Sequence, residues 1–172
     1  MRCTYFVAAS LDGFIADSSG GVEFLKQVDS EGEDYGYQEF YSTVDALMMG
    51  AGTYRSLLKF GTWPYAGKPT YLLSNSVSDP LEGVIQTNEA PARLLSQIYG
   101  SGKQHVWLVG GGKLASTMLS QGLITEIVLS LVPVMLGTGI RLFSSREARI
   151  TPVTLKNHRV YDSGLIQMHY HL

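Results

Sequence analysis

At 172 residues, 45% hydrophobic and 16% charged, the chain has the length and balance of one globular domain over 1–172 with room for a substantial core. Its net charge of −2 and the absence of any Lys/Arg cluster exclude the electrostatic footprint of a duplex-binding protein, so no nucleic-acid partner is expected. Cys3 is the single cysteine, which rules out an internal disulfide and a Cys-based zinc site; with no run of about 18 apolar residues, a cytoplasmic protein with no membrane partner is expected.

Arg2 to Ala9 reads as a central strand that ends in Ser10-Leu11-Asp12-Gly13-Phe14-Ile15-Ala16, where Asp12-Gly13 is a strong turn signal. The apolar run Thr4 to Ala9 is too short for a secretory h-region with its cleavage site. Asp17 to Asp34 is polar and acidic, and its carboxylates are expected mostly as solvated loop. Tyr37, Phe40, Tyr41 and Val44 then fall at i, i+3, i+4 and i+7, the stripe of a helix beginning near Asp34. Ala46 to Met49 forms a second buried strand and runs into Gly50-Ala51-Gly52-Thr53, which opens a helix through Leu58. Thr53 there can cap the helix or reach a phosphate oxygen.

Phe60 to Pro69 is an aromatic loop, either a lid over the core or a wall for a flat ligand. Thr70 to Leu73 is a third strand, leaving through Ser74-Asn75-Ser76; Gly83 to Thr87 is a fourth, and Pro91 to Tyr99 a helix stopped by Gly100. His105 to Gly112 repeats the earlier junction: the apolar run Val106 to Val109, three glycines, then a helix carrying Leu114, Met118 and Leu119. A helix start leaves N–H groups unpaired and carries partial positive charge, so glycines there let a phosphate approach the backbone. Lys113 in the first turn opposes the macrodipole, and a bound anion would reverse that penalty. The spacing is not the G-x-G-x-x-G of a Rossmann site. Two such junctions in one domain can aim two helix starts at a single pyrophosphate.

Glu126 to Leu136 reads as a long strand, kinked or bulged at Pro133, followed by Gly137 to Phe143. Val153 to Tyr161 and Gly164 to Leu172 form a hairpin-like pair whose last strand puts Gln167, His169 and His171 on one face. No third ligand stands near the two histidines in sequence, so a partly exposed face is expected and no metal site. Strands alternating with helices imply a largely parallel α/β sheet.

The order Ser10 to Ala16, Met49-Gly50-Ala51-Gly52-Thr53-Tyr54, Leu73-Ser74-Asn75 and Val109-Gly110-Gly111-Gly112 resembles the dihydrofolate reductase-like fold. With Pro133 to Gly139 and Leu142-Phe143 added, the chain looks most like the reductase domain of the bifunctional riboflavin-biosynthesis deaminase-reductase, over essentially its whole length. The resemblance implies a three-layer α/β/α fold with a mostly parallel central sheet and a C-terminal antiparallel strand pair. It also implies an NADPH-dependent reductase acting on a small molecule, usually as a homodimer. By that resemblance the backbone of Ala9 and Ile15 meets the nicotinamide carboxamide, and Gly50, Ala51, Gly52 and Thr53 hold one side of the pyrophosphate. Val109, Gly110, Gly111, Gly112, Lys113 and Leu114 hold the other, with Leu73, Ser74 and Asn75 by the adenosine ribose. Ala51 stands where dihydrofolate reductases carry a basic residue for the 2′-phosphate, so NADH is not excluded.

Two substrates follow from the resemblance. Dihydrofolate reduction needs a buried acid, for which Asp34 falls in register with Ser130 opposite as an orienting hydroxyl. The riboflavin-type reaction delivers hydride to C1′ of a ribosylamino group in its open imine form, and Asp12 with the loop Val134 to Gly139 would form the substrate end. That imine is already an electrophile and needs less acid help. The paired cysteines and His-x-Glu of the deaminase half are missing, which points to a stand-alone reductase. The rival from another class is a dinucleotide binder without catalysis, or a scaffold in which the glycines only solve packing.

Overall fold

Apolar runs without alternation become the inner strands of one sheet. In the computed structural model, which describes residues 1–144 and 150–172, the chain runs β1 (Arg2–Ser10), β2 (Phe14–Ala16), a 3-10 turn (Glu23–Val28), α1 (Tyr37–Thr43), β3 (Ala46–Gly50) and α2 (Ala51–Leu58). It continues through β4 (Thr70–Leu73), β5 (Val84–Thr87), α3 (Pro91–Gly100), β6 (His105–Gly110), α4 (Gly112–Ser120) and β7 (Glu126–Val132). The remaining strands are β8 (Ile140–Arg141), β9 (Thr154–Val160) and β10 (Ile166–His171).

Eight strands form the main sheet in the order β5-β4-β3-β6-β1-β7-β10-β9. The first six run parallel, and β10 and β9 are antiparallel additions. One face carries Leu47, Met49 and Trp107, covered by Phe40 of α1 and Tyr54 and Leu57 of α2. The other carries Tyr5, Met48 and Leu108, covered by Leu94 and Ile98 of α3 and Ala115 and Met118 of α4. Met48 and Leu108 are fully buried, each stabilising the fold by about 1.5–3 kcal/mol. The result is the expected three-layer α/β/α arrangement with its C-terminal antiparallel pair.

Four local expectations change. The last long strand stops at Val132, because Pro133 has no N–H for the ladder and Leu11 N–H turns to Val134 O instead. The stripe helix starts at Tyr37, and Asp34 serves it from outside, accepting the N–H groups of Gly36 and Gln38. The acidic segment is not all solvated: Phe24 and Val28 of the 3-10 turn are buried against Val132, Tyr161 and Leu165. The aromatic loop divides, with Tyr65 set edge-on to Trp107 in the core and Phe60 exposed at a rim. A pairing without a local sequence signal, β2 with β8, folds the segment after β1 against the segment after Pro133.

This topology fixes where a ligand fits. From β3 the chain passes through α2 on one face to β4; from β6, its neighbour, it passes through α4 on the opposite face to β7. Adjacent parallel strands whose connections leave to opposite faces open a crevice at their carboxyl ends.

Candidate nucleotide cleft

Both junctions read from the sequence lie at that crevice. Gly50 is the N-cap of α2 and Gly111 the N-cap of α4, and among the described residues no side-chain hydrogen bond closes either helix start. First-turn N–H groups left without side-chain partners, with two helix dipoles behind them, favour negative charge. Gly50 to Thr53 and Gly111 to Leu114 line one cleft of about 1000 Å³. A Cβ built on Gly110 or Gly111 would sit 3.2 or 3.3 Å from Thr53 Oγ1, so the two starts adjoin.

The glycines have different reasons to be glycine. Gly110 has φ +148°, a backbone state that L side chains rarely adopt. A Cβ on Gly112 would lie 2.1 Å from the Arg141 carbonyl oxygen, so that position is closed by the chain itself. Gly50 and Gly52 line the cleft, have no positive φ, and a Cβ on either would meet nothing within 4 Å. Nothing among the described residues requires glycine there, and what their bareness leaves is room over the backbone of a helix start.

The rest of the cleft is mostly apolar. β1 contributes Phe6, Val7 and Ala8, β2 contributes Ile15 and Ala16, and Leu25, Leu57, Phe60, Tyr65 and Trp107 complete the walls. Among the described residues Lys113 and Arg141 are its cations, and no Asp or Glu lines it. An anion-favouring end beside an apolar wall is the lining that a phosphate-bearing aromatic ligand requires.

Of the residues expected to hold a cofactor, Ile15, Gly50, Ala51, Gly52, Thr53, Leu73, Val109, Gly111, Gly112, Lys113 and Leu114 line the cleft. Ala9 does not: it is buried in register with Leu131, and β1 meets the cleft earlier, at Phe6 to Ala8. Gly110 shapes the turn without lining the wall. Ser74 and Asn75 lie outside the lining, where Ser74 Oγ accepts the N–H of Ser76. Thr53 is no cap, since Gly50 holds that position and the Thr53 hydroxyl faces Gly110 and Gly111.

None of the three proposed catalytic groups lines the cleft. The Asp12 carboxylate accepts from Ser10 Oγ at 2.5 Å and from the N–H groups of Leu136 and Gly137 at 3.1 and 2.7 Å, so it clamps the loop after β7. The Ser10 hydroxyl first, and then those N–H groups, hold its carboxyl below the ordinary value, which suits an anchor and not a proton donor. Asp34 is exposed and occupied with the α1 start, not a buried acid. Ser130 is buried on β7 and accepts from Gln167 Nε2, whose amide also donates to Tyr35 O. Sequence reasoning misses Leu25, Ser56, Arg141 and Ser144 as lining residues. Arg141 lies in the quoted Gly137 to Phe143 segment, whereas Leu25 carries no signal, sitting inside an acidic stretch.

A parallel sheet flanked on both faces, an antiparallel C-terminal pair and a cleft at this switch point define a dihydrofolate reductase-like protein. A dihydrofolate reductase from Enterococcus faecalis, complexed with NADP(H), shares that fold with TM-score 0.65 at 12% identity, over 99% of this chain and 95% of that one. Within this class the chain belongs to the family of the RibD C-terminal domain, which matches residues 2–167 and is a riboflavin-pathway reductase-like family. A putative riboflavin biosynthesis protein from Shewanella sp. PV-4 is 30% identical with TM-score 0.90, over 99% of this chain and 98% of that one. The diaminohydroxyphosphoribosylaminopyrimidine deaminase/5-amino-6-(5-phosphoribosylamino)uracil reductase of Thermotoga maritima is 16% identical with TM-score 0.71, and this chain spans 56% of its length. The uncharacterized protein YwjB of Bacillus subtilis (strain 168) is 31% identical over 98% of this chain and 97% of its own.

Proposed function

We propose that this protein is an NADPH-dependent reductase that delivers hydride to a small imine-type substrate, of the kind handled by 5-amino-6-(5-phosphoribosylamino)uracil reductases, and that it works as a homodimer. The observation that carries this reading is the pair of uncapped helix starts meeting over one cleft, with Gly50 and Gly52 bare toward it. The nicotinamide cofactor, when bound, supplies the hydride. Gly50 to Thr53 and Gly111 to Lys113 would hold its pyrophosphate, and the apolar wall of Phe6, Val7, Ala8 and Ile15 would seat a flat ring and exclude water.

Cofactor choice rests on a residue that the sequence does not flag. Ala51 leaves the usual cation position empty, but one helical turn on, the Arg55 guanidinium donates to Ser76 O and Ser76 Oγ, both at 2.9 Å. Ser74 Oγ lies 3.2 Å from the same hydroxyl. An exposed guanidinium among serine hydroxyls at the exit of β4 suits a 2′-phosphate, which it would grip through paired N–H donors. The absence of any described carboxylate from the lining favours an imine, already electrophilic, over a pterin that must be protonated.

Thermal-shift titration with NADPH and NADH, followed by turnover on a ribosylamino pyrimidine, tests the proposal. NADPH at 100 times its Kd should raise Tm by roughly 5–10 °C. Arg55→Ala should weaken NADPH by about tenfold or more and leave NADH within about twofold. Binding without turnover would leave a dinucleotide binder, and no binding of either cofactor would reduce the glycines to packing devices.

A further inference from the structure

We propose that Glu126, His169 and His171 form a binding site for a divalent transition-metal ion at the end of the sheet opposite the cleft. The inference is independent of the reductase reading. His171 stands directly across from Glu126 in the β7–β10 ladder, and His169, two residues back in β10, lies diagonal to it on the same face. His169 Nε2 is 3.5 Å from Glu126 Oε2 and His171 Nε2 is 3.7 Å from Oε1. The three ligand atoms all lie within 4.8 Å of one another. Two ligands on a tetrahedral ion with bonds of about 2.05 Å stand roughly 3.3 Å apart, so the cluster needs only a small contraction.

A plain ion pair explains this arrangement less well. At 3.5 and 3.7 Å the contacts are longer than good hydrogen bonds. His169 Nε2 is itself buried and has no hydrogen-bond partner among the described residues. A buried ring nitrogen left without a partner is costly, and a metal ion satisfies it.

The carboxylate is also oriented from behind. Arg2 Nη2 lies 2.9 Å from His105 Nδ1, and His105 Nε2 lies 2.9 Å from Thr4 Oγ1. Thr4 Oγ1 in turn donates to Glu126 Oε2 at 3.2 Å. Thr4, His105 and Glu126 are buried, so this chain fixes the carboxylate as outer groups do in metal centres. Two imidazoles and one carboxylate suit Zn²⁺ or its first-row neighbours, whereas Mg²⁺ and Ca²⁺ prefer oxygen alone. Three protein ligands leave a fourth position for water. The ion would clip the C-terminal strand to the parallel sheet.

The test uses the full-length chain, untagged and stripped with chelator, titrated calorimetrically with ZnCl₂ and separately with MgCl₂. The expected result is one equivalent of Zn²⁺ and no Mg²⁺ heat, with a rise in Tm of roughly 5–10 °C at a hundredfold excess over Kd. Co²⁺ should give visible d–d absorption of tetrahedral intensity. Glu126→Gln and the double variant His169→Gln/His171→Gln should each weaken Zn²⁺ by about a hundredfold, while His158→Gln, on an exposed strand, should not. Circular dichroism of the metal-free variants separates lost ligands from lost fold, and the half-exposed histidine pair supplies the decisive variant if Glu126→Gln misfolds. Absence of stoichiometric Zn²⁺ binding, or binding that survives the histidine double variant, overturns the proposal.

Discussion

Gly52 and Gly112 sit in the same cleft lining, yet side chains at the two would fail for opposite reasons. At Gly112 a Cβ meets the Arg141 carbonyl at 2.1 Å, and backbone cannot move aside cheaply. Gly112→Ala should therefore destabilise the fold by about 1–3 kcal/mol, read as a lower midpoint in denaturant unfolding. At Gly52 the side chain enters open space, so Gly52→Asp should leave the midpoint almost unchanged. Its carboxylate would occupy the ground proposed for a phosphate, and NADPH affinity should drop by about a hundredfold; affinity that survives would remove the α2 start from the site. Asp34 gives a third contrast. Its carboxylate accepts the N–H groups of Gly36, the N-cap of α1, and of Gln38 in its first turn, so Asp34→Ala should cost about 1 kcal/mol of stability, as losing a cap does, and leave hydride transfer within about twofold. A loss of turnover by orders of magnitude would restore the acid role that its exposure denies.

At the scale of elements, what the sequence reveals depends on how local the signal is. Strand, glycine, helix is a contiguous pattern, so Ala46 to Leu58 and His105 to Ser120 are legible, and with them both walls of the cleft. Contacts made through sheet register leave no such trace. Glu126 meets His171 only because β10 runs back along β7, and β2 finds β8 across more than a hundred residues. Buried polar networks are equally hidden: His105 reads as the first residue of an apolar strand, yet it joins Arg2, Thr4 and Thr43. Burial, and then the Arg2 charge, lower its pKa, so between the folded value and the ordinary 6.5 the unfolded chain holds the extra proton. Its contribution to stability is complete above pH 6.5 and is lost as pH falls below that value. Asp12, Asp17 and Asp45, all held below 3.8, act only in stronger acid. Tm should therefore decline as pH falls from 7 to 5, and His105→Gln, which can still hydrogen-bond to Thr4, should flatten that decline. An unchanged slope would assign the effect to other groups.

For the whole molecule, the proposed homodimer has a natural place to form. β9 closes the sheet, and all seven of its residues are exposed, including Leu155 at 49% and Val160 at 66%. An antiparallel outer strand ordinarily keeps one face on the core, and an uncovered edge with aliphatic side chains invites pairing. A second copy meeting it through a twofold axis would cover both strands at once. Light scattering after gel filtration should then report twice the 18.8 kDa of one chain, and Leu155→Lys/Val160→Lys should halve that mass and lower Tm. β10 and β7 separate β9 from β1, so at about 4.8 Å per strand the interface lies roughly 14 Å from β1, the nearest strand of the main sheet that lines the cleft. Pairing there supports the sheet without supplying the pyrophosphate site, and the monomeric variant should bind NADPH within about threefold of the parent. A parent that is monomeric at micromolar concentration would refute the dimer; a monomeric variant that loses NADPH would show that the second copy completes the cleft.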